Sequence, residues 1–348
     1  MIRDAFLHAF EWSGRARRRA IWAYAGFALL VLSGSVFAEV WFSGGAPAAP
    51  RLVFLLAAVL LVPMISLAVR RLHDRGHWGG WLLLGFLPWV GVLLWAYLLL
   101  APTDPRAEEP DTPAFLPLVG AGLSVILVLL VASRAFWAPY WIVSGSMKPG
   151  LLVGDYMIVR FAQATDVTRG DVLLFRASHG DGTAAMVARL IGLPGDQVQM
   201  RAGKLVLNGA VVSLAPRPPF AERNVPQGAM QSLPRCGNAP VGAGGQCITE
   251  RLQETLPDGS SHDVLDLMTA GPADDTGVFD VPDGQFFMLG DNRDDSLDSR
   301  FDVAIGGMGL VAADDVIGRA TRVLVSTEGR SLTAFWTWRA DRFLQVVP

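Results

Sequence analysis

Two serines flank a glycine at Ser144-Gly145-Ser146, ahead of Met147-Lys148-Pro149 and shortly past the last of several long apolar stretches. A serine hydroxyl attacks a carbonyl when a base takes its proton and fixed donors receive the oxyanion. Taken alone, serines around a glycine are common in turns. Their position sharpens the reading, because an enzyme acting on a membrane-bound chain needs its nucleophile near the membrane. Two more segments carry charge beside tight-turn residues: Arg189-Leu190-Ile191-Gly192-Leu193-Pro194-Gly195-Asp196, and the run from Gly290 to Arg300. The histidines are scattered, and Cys236 and Cys247 are the only cysteines, without zinc-site spacing, so no metal site is expected. A net charge of −3 gives no basic face for nucleic acid.

The elements that position these residues fall into two classes. The composition is 51% hydrophobic, with a mean hydropathy of +0.37, and the excess lies at the N-terminal end. Ala20 to Ala38, Leu52 to Val69, Trp78 to Thr103 and Thr112 to Ser133 carry no charge. Each is about the 17–25 residues a helix needs to cross the hydrocarbon layer. Arg15, Arg17, Arg18 and Arg19 precede the first stretch, and Arg70, Arg71, His73 and Arg75 follow the second, which predicts a cytoplasmic position for both clusters. Four crossings would then return the C-terminal half to the cytoplasm. Leu87-Pro88-Trp89-Val90-Gly91 interrupts the third stretch, so a kinked span and a non-crossing hairpin both remain open.

After Arg134, runs such as Tyr156–Phe161, Asp171–Arg176, Met186–Ile191, Lys204–Leu207 and Gln285–Leu289 predict a mostly antiparallel all-β domain. The stretch at about 211–278 is rich in Pro, Gly and polar residues and reads as a long inserted loop. The fold class is therefore a multi-span α-helical membrane region followed by a mostly antiparallel all-β domain with a long inserted loop region. The expected divisions are a helical membrane module at 1–110, an anchor helix at 111–138 and a β-rich domain at 139–348.

The N-terminal region resembles a bacterial inner-membrane family of undefined function, through Ser13-Gly14-Arg15-Ala16-Arg17-Arg18-Arg19 and Arg70-Arg71-Leu72-His73-Asp74-Arg75-Gly76. From about 139 to 315 the chain resembles the bacterial type I signal peptidases, membrane-anchored serine endopeptidases that remove signal peptides from exported proteins. The resemblance rests on Ser144-Gly145-Ser146-Met147, the Arg189–Asp196 segment and Gly290-Asp291-Asn292-Arg293-Asp294-Asp295-Ser296-Leu297-Asp298-Ser299-Arg300. It implies Ser146 as nucleophile, Ser144 with the Ser146 N–H as oxyanion hole, and Ser296 as the residue orienting the base. Asp291, Arg293, Asp298 and Arg300 would hold the site as a charge network. It further implies no metal or organic cofactor, and preproteins with a small-x-small cleavage motif as partners alongside membrane lipid. The expected place is a bacterial cytoplasmic membrane, with the catalytic domain outside, where Cys236 and Cys247 would close a disulfide.

One position departs from the pattern. The family's general base is a lysine immediately before the arginine at 189, and here that position is Ala188. The chain is then either an inactivated variant or a natural member that lost catalysis or uses another base. The rival reading is a protein that holds preproteins without cutting them. Val143 and Asp295 also stand where the family usually has Pro and Asn.

Overall fold

The computed structural model describes all residues except 43–50, 105–115, 180, 181, 229, 269, 329–331 and 333. The expected boundary at 110 and the loops beside it lie outside the described residues. The chain divides into two units, Met1–Phe136 and Trp137–Pro348.

The first unit contains helices α1 (Ile2–Leu7), α2 (Arg18–Phe42), α3 (Arg51–His73), α4 (Pro88–Leu100) and α5 (Leu116–Ser133). Two helices among the described residues are long and apolar enough to cross a membrane, Arg18–Glu39 and Arg51–His73. The third apolar stretch is not one helix. It breaks into a 3-10 segment, Gly79–Phe86, and α4. At 1.5 Å per residue α4 is about 20 Å long, short of a hydrocarbon layer of about 30 Å.

Pro88 opens α4 where its missing N–H costs no helical bond. A Cβ on Gly91 would lie 2.5 Å from the Gly85 carbonyl oxygen, so the two pieces fold against each other through bare backbone. The pair starts and ends near the C-terminal end of α3. A Cβ on Gly79 would sit 2.8 Å from Val69 Cγ1, and the far end of α4 is held by arginines. Arg71 donates from Nε to the Leu98 carbonyl (3.1 Å) and from Nη2 to that of Ala101. Trp22 donates to Leu99 O (2.8 Å), Arg18 to Leu100 O (3.3 Å) and Arg75 to Pro102 O (2.9 Å). The carbonyls that a helix C-terminus leaves open are thus filled by side chains. Buried Asp74 takes Arg71 and Arg15 as ion partners, which makes the arginine motif a helix clamp.

The second unit is built on β1 (Trp137–Trp141), β2 (Asp155–Phe161), β3 (Val172–His179), β4 (Gly182–Gly192), β5 (Gln197–Arg201), β6 (Lys204–Leu207) and β7 (Ala210–Val211). Then follow β8 (Ser213–Arg223), β9 (Gln246–Thr255), β10 (Ser261–Asp266), β11 (Phe279–Asp280), β12 (Gln285–Leu289), β13 (Val311–Ala312) and β14 (Val316–Ser326). A seven-stranded sheet has the order β1-β2-β14-β3-β4-β12-β13, and every pairing in it is antiparallel. A four-stranded sheet runs β11-β5-β6-β7. Alternation along β4 and β12 sends Ala188, Leu190, Phe286 and Met288 into one apolar cluster and Ile191, Phe287 and Leu289 into a second.

The expected loop at about 211–278 instead carries a three-stranded sheet, β10-β9-β8, with long connections between its strands. Its composition hid it. Pro216, Pro218 and Pro219 sit on β8, an edge strand, where a residue without an N–H is tolerated, and the register shifts between Arg217 and Phe220.

Candidate active site

Ser144 and Ser146 lie in the turn between β1 and β2, with their hydroxyl oxygens 3.0 Å apart. Ser144 is exposed, Ser146 half-buried, and Met147 beneath them is buried in the sheet core. The turn is held by the segment that leaves β12. The Asn292 N–H donates to the Ser146 carbonyl (2.9 Å), and its Nδ2 to the Gly145 carbonyl (3.0 Å).

Gly290 sits at the closest approach of the two segments. A Cβ there would come within 2.3 Å of Ser296 Oγ and 2.8 Å of the Ser146 carbonyl oxygen, so the backbones can meet only around a bare Cα. On β4, Leu190 pairs with Met288 and Arg189 with Leu289. Carried one residue on, this register sets Ala188 opposite Gly290. Ala188 is fully buried. Ser296 is 7% exposed, and its hydroxyl has no hydrogen-bond partner among the described residues. A buried hydroxyl left without a partner carries an energetic cost.

Charged pairs fix the loop from Gly290 to Arg300. Arg189 clasps Asp291 through two bonds (2.7 and 2.6 Å) and also donates to the carbonyls of Gly170 and Pro348. Arg300 clasps Asp298 (2.8 and 2.9 Å), and Asp298 accepts the Gly290 N–H at 3.0 Å. Arg293 clasps Glu254 of β9 (3.1 and 2.6 Å), with His262 Nε2 of β10 at 3.2 Å from the same carboxylate. Burial raises the Glu254 carboxyl, but Arg293 and His262 outweigh it and hold it down at about 2. Bidentate geometry suits such sites because it fixes orientation as well as charge. Neither Glu254 nor Asn292 is singled out by the sequence; Asn292 lies inside the Gly290–Arg300 string, and Glu254 has no local signal.

Lys148 is two residues past Ser146 and buried, but its ammonium is engaged by both oxygens of Glu222 (2.7 and 2.8 Å) and by Gln227 Oε1 (3.0 Å). It ties the end of β8 to the serine turn. Cys236 and Cys247 are joined, with Cα atoms 4.9 Å apart. Arg235, beside Cys236, donates to the Asp294 carbonyl and pairs with Asp295 at 3.4 Å. Burial pushes the Asp295 carboxyl up against the opposing pull of Arg235 and Lys148. No group of three or more His, Cys, Asp or Glu suited to a metal occurs among the described residues.

Behind this loop, burial raises the Asp266 carboxyl to about 6, with the neighbouring Asp294 adding to it. An unfolded aspartate titrates near 3.9. The folded chain thus holds the extra proton between about pH 4 and pH 6, and stability falls as pH rises through that window. Asp266→Asn is expected to raise the thermal midpoint at pH 8 and to leave it unchanged at pH 4. Equal gains at both pH values would refute the repulsion.

The family described as signal peptidase, peptidase S26, matches residues 116–325. A protein family of unknown function, DUF805, matches residues 9–109. The signal peptidase I of Pseudomonas fluorescens is 32% identical over 221 residues, 58% of this chain and 69% of that protein. The signal peptidase I of Pseudomonas aeruginosa is 30% identical over 250 residues, 64% and 79% respectively. That of Rickettsia typhi is 26% identical over 232 residues, 59% of this chain and 78% of the relative. With most of its β unit and α5 inside the matched region, and the serine turn and the Gly290–Arg300 loop folded onto each other, this chain belongs to the signal peptidase family, peptidase S26.

Proposed function

We propose that the chain receives signal-peptide-bearing preproteins at a signal-peptidase site whose nucleophile and oxyanion donors are in place and whose general base is missing. Ser146 is the nucleophile, the Ser144 hydroxyl and the Ser146 N–H are the oxyanion donors, and Ser296 is the hydroxyl that would orient a base. Asp291, Arg293, Asp298 and Arg300 hold these groups in register. The observation that carries the reading is the buried Ser296 hydroxyl, left without a partner beside Ala188. A methyl group takes no proton from serine, so this chain holds preproteins and cuts them slowly at most. The test is cleavage of a preprotein with an Ala-x-Ala site by the purified chain and by its Ala188→Lys form. Equal rates would mean that another base is at work.

We further propose that the membrane unit crosses three times: α2 outward, α3 inward and α5 outward, with the 3-10 segment and α4 as a hairpin that enters and leaves on the cytoplasmic side. Two features support this. The hairpin's ends lie beside Val69 and Arg71 at the basic end of α3. The Arg134 guanidinium, just past α5, lies 6.0 Å over the Phe54 ring near the opposite end of α3. The catalytic domain then emerges outside, where exported chains are processed. In intact spheroplasts an impermeant maleimide is expected to label Ser260→Cys at once and Ser13→Cys only after lysis. The reverse pattern would rule out a signal-peptidase role.

A further inference from the structure

We infer that Asn292 is a positioning residue for the oxyanion hole, acting through the peptide plane between Gly145 and Ser146. The inference rests on the reading of Ser146 as nucleophile and adds the residue that aims its N–H. In a trans peptide the carbonyl of one residue and the N–H of the next point in opposite directions within one plane. The bond between Gly145 and Ser146 is trans. Asn292 Nδ2 donates to the Gly145 carbonyl at 3.0 Å, drawing that oxygen toward the buried loop. The Ser146 N–H, on the opposite edge of the same plane, is thereby turned away from the loop. The Asn292 backbone N–H holds the next carbonyl, that of Ser146, at 2.9 Å. One residue therefore fixes the peptide plane on each side of the nucleophile.

Asn292 is itself immobilised. It is 3% exposed. Asp291 before it is clasped by Arg189, and Arg293 after it by Glu254. Only the amino end of its side chain can face a carbonyl, which fixes the amide orientation. Its Oδ1 has no partner among the described residues, so no competing bond sets that orientation. A donor contributes to oxyanion stabilisation only where it is already aimed at the developing charge. Releasing the Gly145 carbonyl frees the plane to rotate and takes the Ser146 N–H off line, although every group of the hole remains present.

The test does not depend on turnover. The probe is a peptide boronic acid with Ala-x-Ala before the boron, compared with the same peptide as a plain amide, both titrated against the full chain in detergent. On adduct formation the Ser146 O–H bond breaks, an O–B bond forms, trigonal boron becomes tetrahedral and anionic, and the proton passes to buffer. Asn292→Asp keeps the shape and the backbone N–H but loses the side-chain donor, and Asn292→Ala loses it without adding charge. Both are expected to weaken boronate binding by about 10- to 100-fold, below the 10²–10³ for removing a donor outright, and to leave amide binding within about twofold. Equal losses for the two ligands, or no loss for either, overturn the inference. So does failure of both variants to fold, since Asn292 would then be a structural residue. If Ser146→Ala binds the boronate as tightly as the parent chain, the nucleophile assignment itself fails, an outcome separate from the others.

Discussion

Ala188→Lys is expected to raise cleavage of an Ala-x-Ala preprotein by about 10⁴-fold, and Ser146→Ala in that background to return it to the level of the parent chain. In serine proteases the loss of one member of the catalytic set removes on the order of 10⁴-fold, while the oxyanion donors and substrate binding leave a residual rate. That is roughly 5–6 kcal/mol at about 1.36 kcal/mol per decade. The environment suits a lysine base. Position 188 is fully buried in the sheet core next to Val187, and burial lowers an ammonium's pKa toward neutrality. The Ser296 hydroxyl, unpartnered here, accepts one of its protons. Ser144 and Ser146 stand 3.0 Å apart in one turn, so both hydroxyls are already gathered at the site. Rates on one preprotein for the three chains decide the matter. A folded lysine variant that stays silent would favour a protein that only holds its ligand.

Glu254→Gln is expected to cost about 3–5 kcal/mol, the usual penalty for leaving one partner of a buried ion pair uncompensated. Glu254 is fully buried and Arg293 donates to both its oxygens. The other carboxylates near Arg293 are taken, Asp291 by Arg189 and Asp298 by Arg300. At about 2–4 °C per kcal/mol for a unit of this size, the midpoint falls by roughly 6–20 °C at pH 7. The pH dependence carries the sign of a depressed carboxyl. Folding lowers Glu254 from the ordinary 4.5 to about 2. Its contribution is therefore complete above about pH 4.5 and is lost as pH falls toward 2. The difference between parent and variant should be widest near neutrality and close progressively in acid. A gap that stays constant down to pH 2 would show that the lost packing, not the charge, sets the cost.

Much of this was legible in the sequence where the physics is local. β2, β3, β4, β6 and β12 are short runs of β-branched and aromatic residues between turn formers, and the structure has strands at each. β14 escaped because Gly318, Arg319, Thr321 and Arg322 interrupt its apolar alternation. It is nevertheless central, lying between β2 and β3. β1 escaped because its aromatics follow directly on an apolar helix; in the structure Trp141 stacks on Tyr156 of β2, with ring centroids 5.6 Å apart.

The site divides in the same way. The serine turn and the Gly290–Arg300 string are contiguous and could be read. The pairing of Arg189 with Asp291 spans 102 residues and that of Arg293 with Glu254 spans 39, and no local pattern announces either. Asn292 works on carbonyl groups that every residue has, so its partner's identity leaves no mark on composition. In the first unit, Pro88 and Gly91 signalled a break. The direction of the hairpin depends on where its last carbonyls go, and that is a tertiary fact.

The arginine clamp on α4 bears on how the chain is made. Arg18, Trp22, Arg71 and Arg75 all precede α4 in the chain, so during synthesis their side chains are in place before its last carbonyls leave the ribosome. The segment from Trp78 to Thr103 is apolar enough to be handled as a further crossing by the insertion machinery. The waiting guanidiniums give its far end a reason to come back. On the three-crossing arrangement, a chain that lost Arg71 would risk threading α4 through the bilayer and making everything after it on the wrong side. The fate of the whole peptidase domain would then turn on whether one helix end is caught as it emerges.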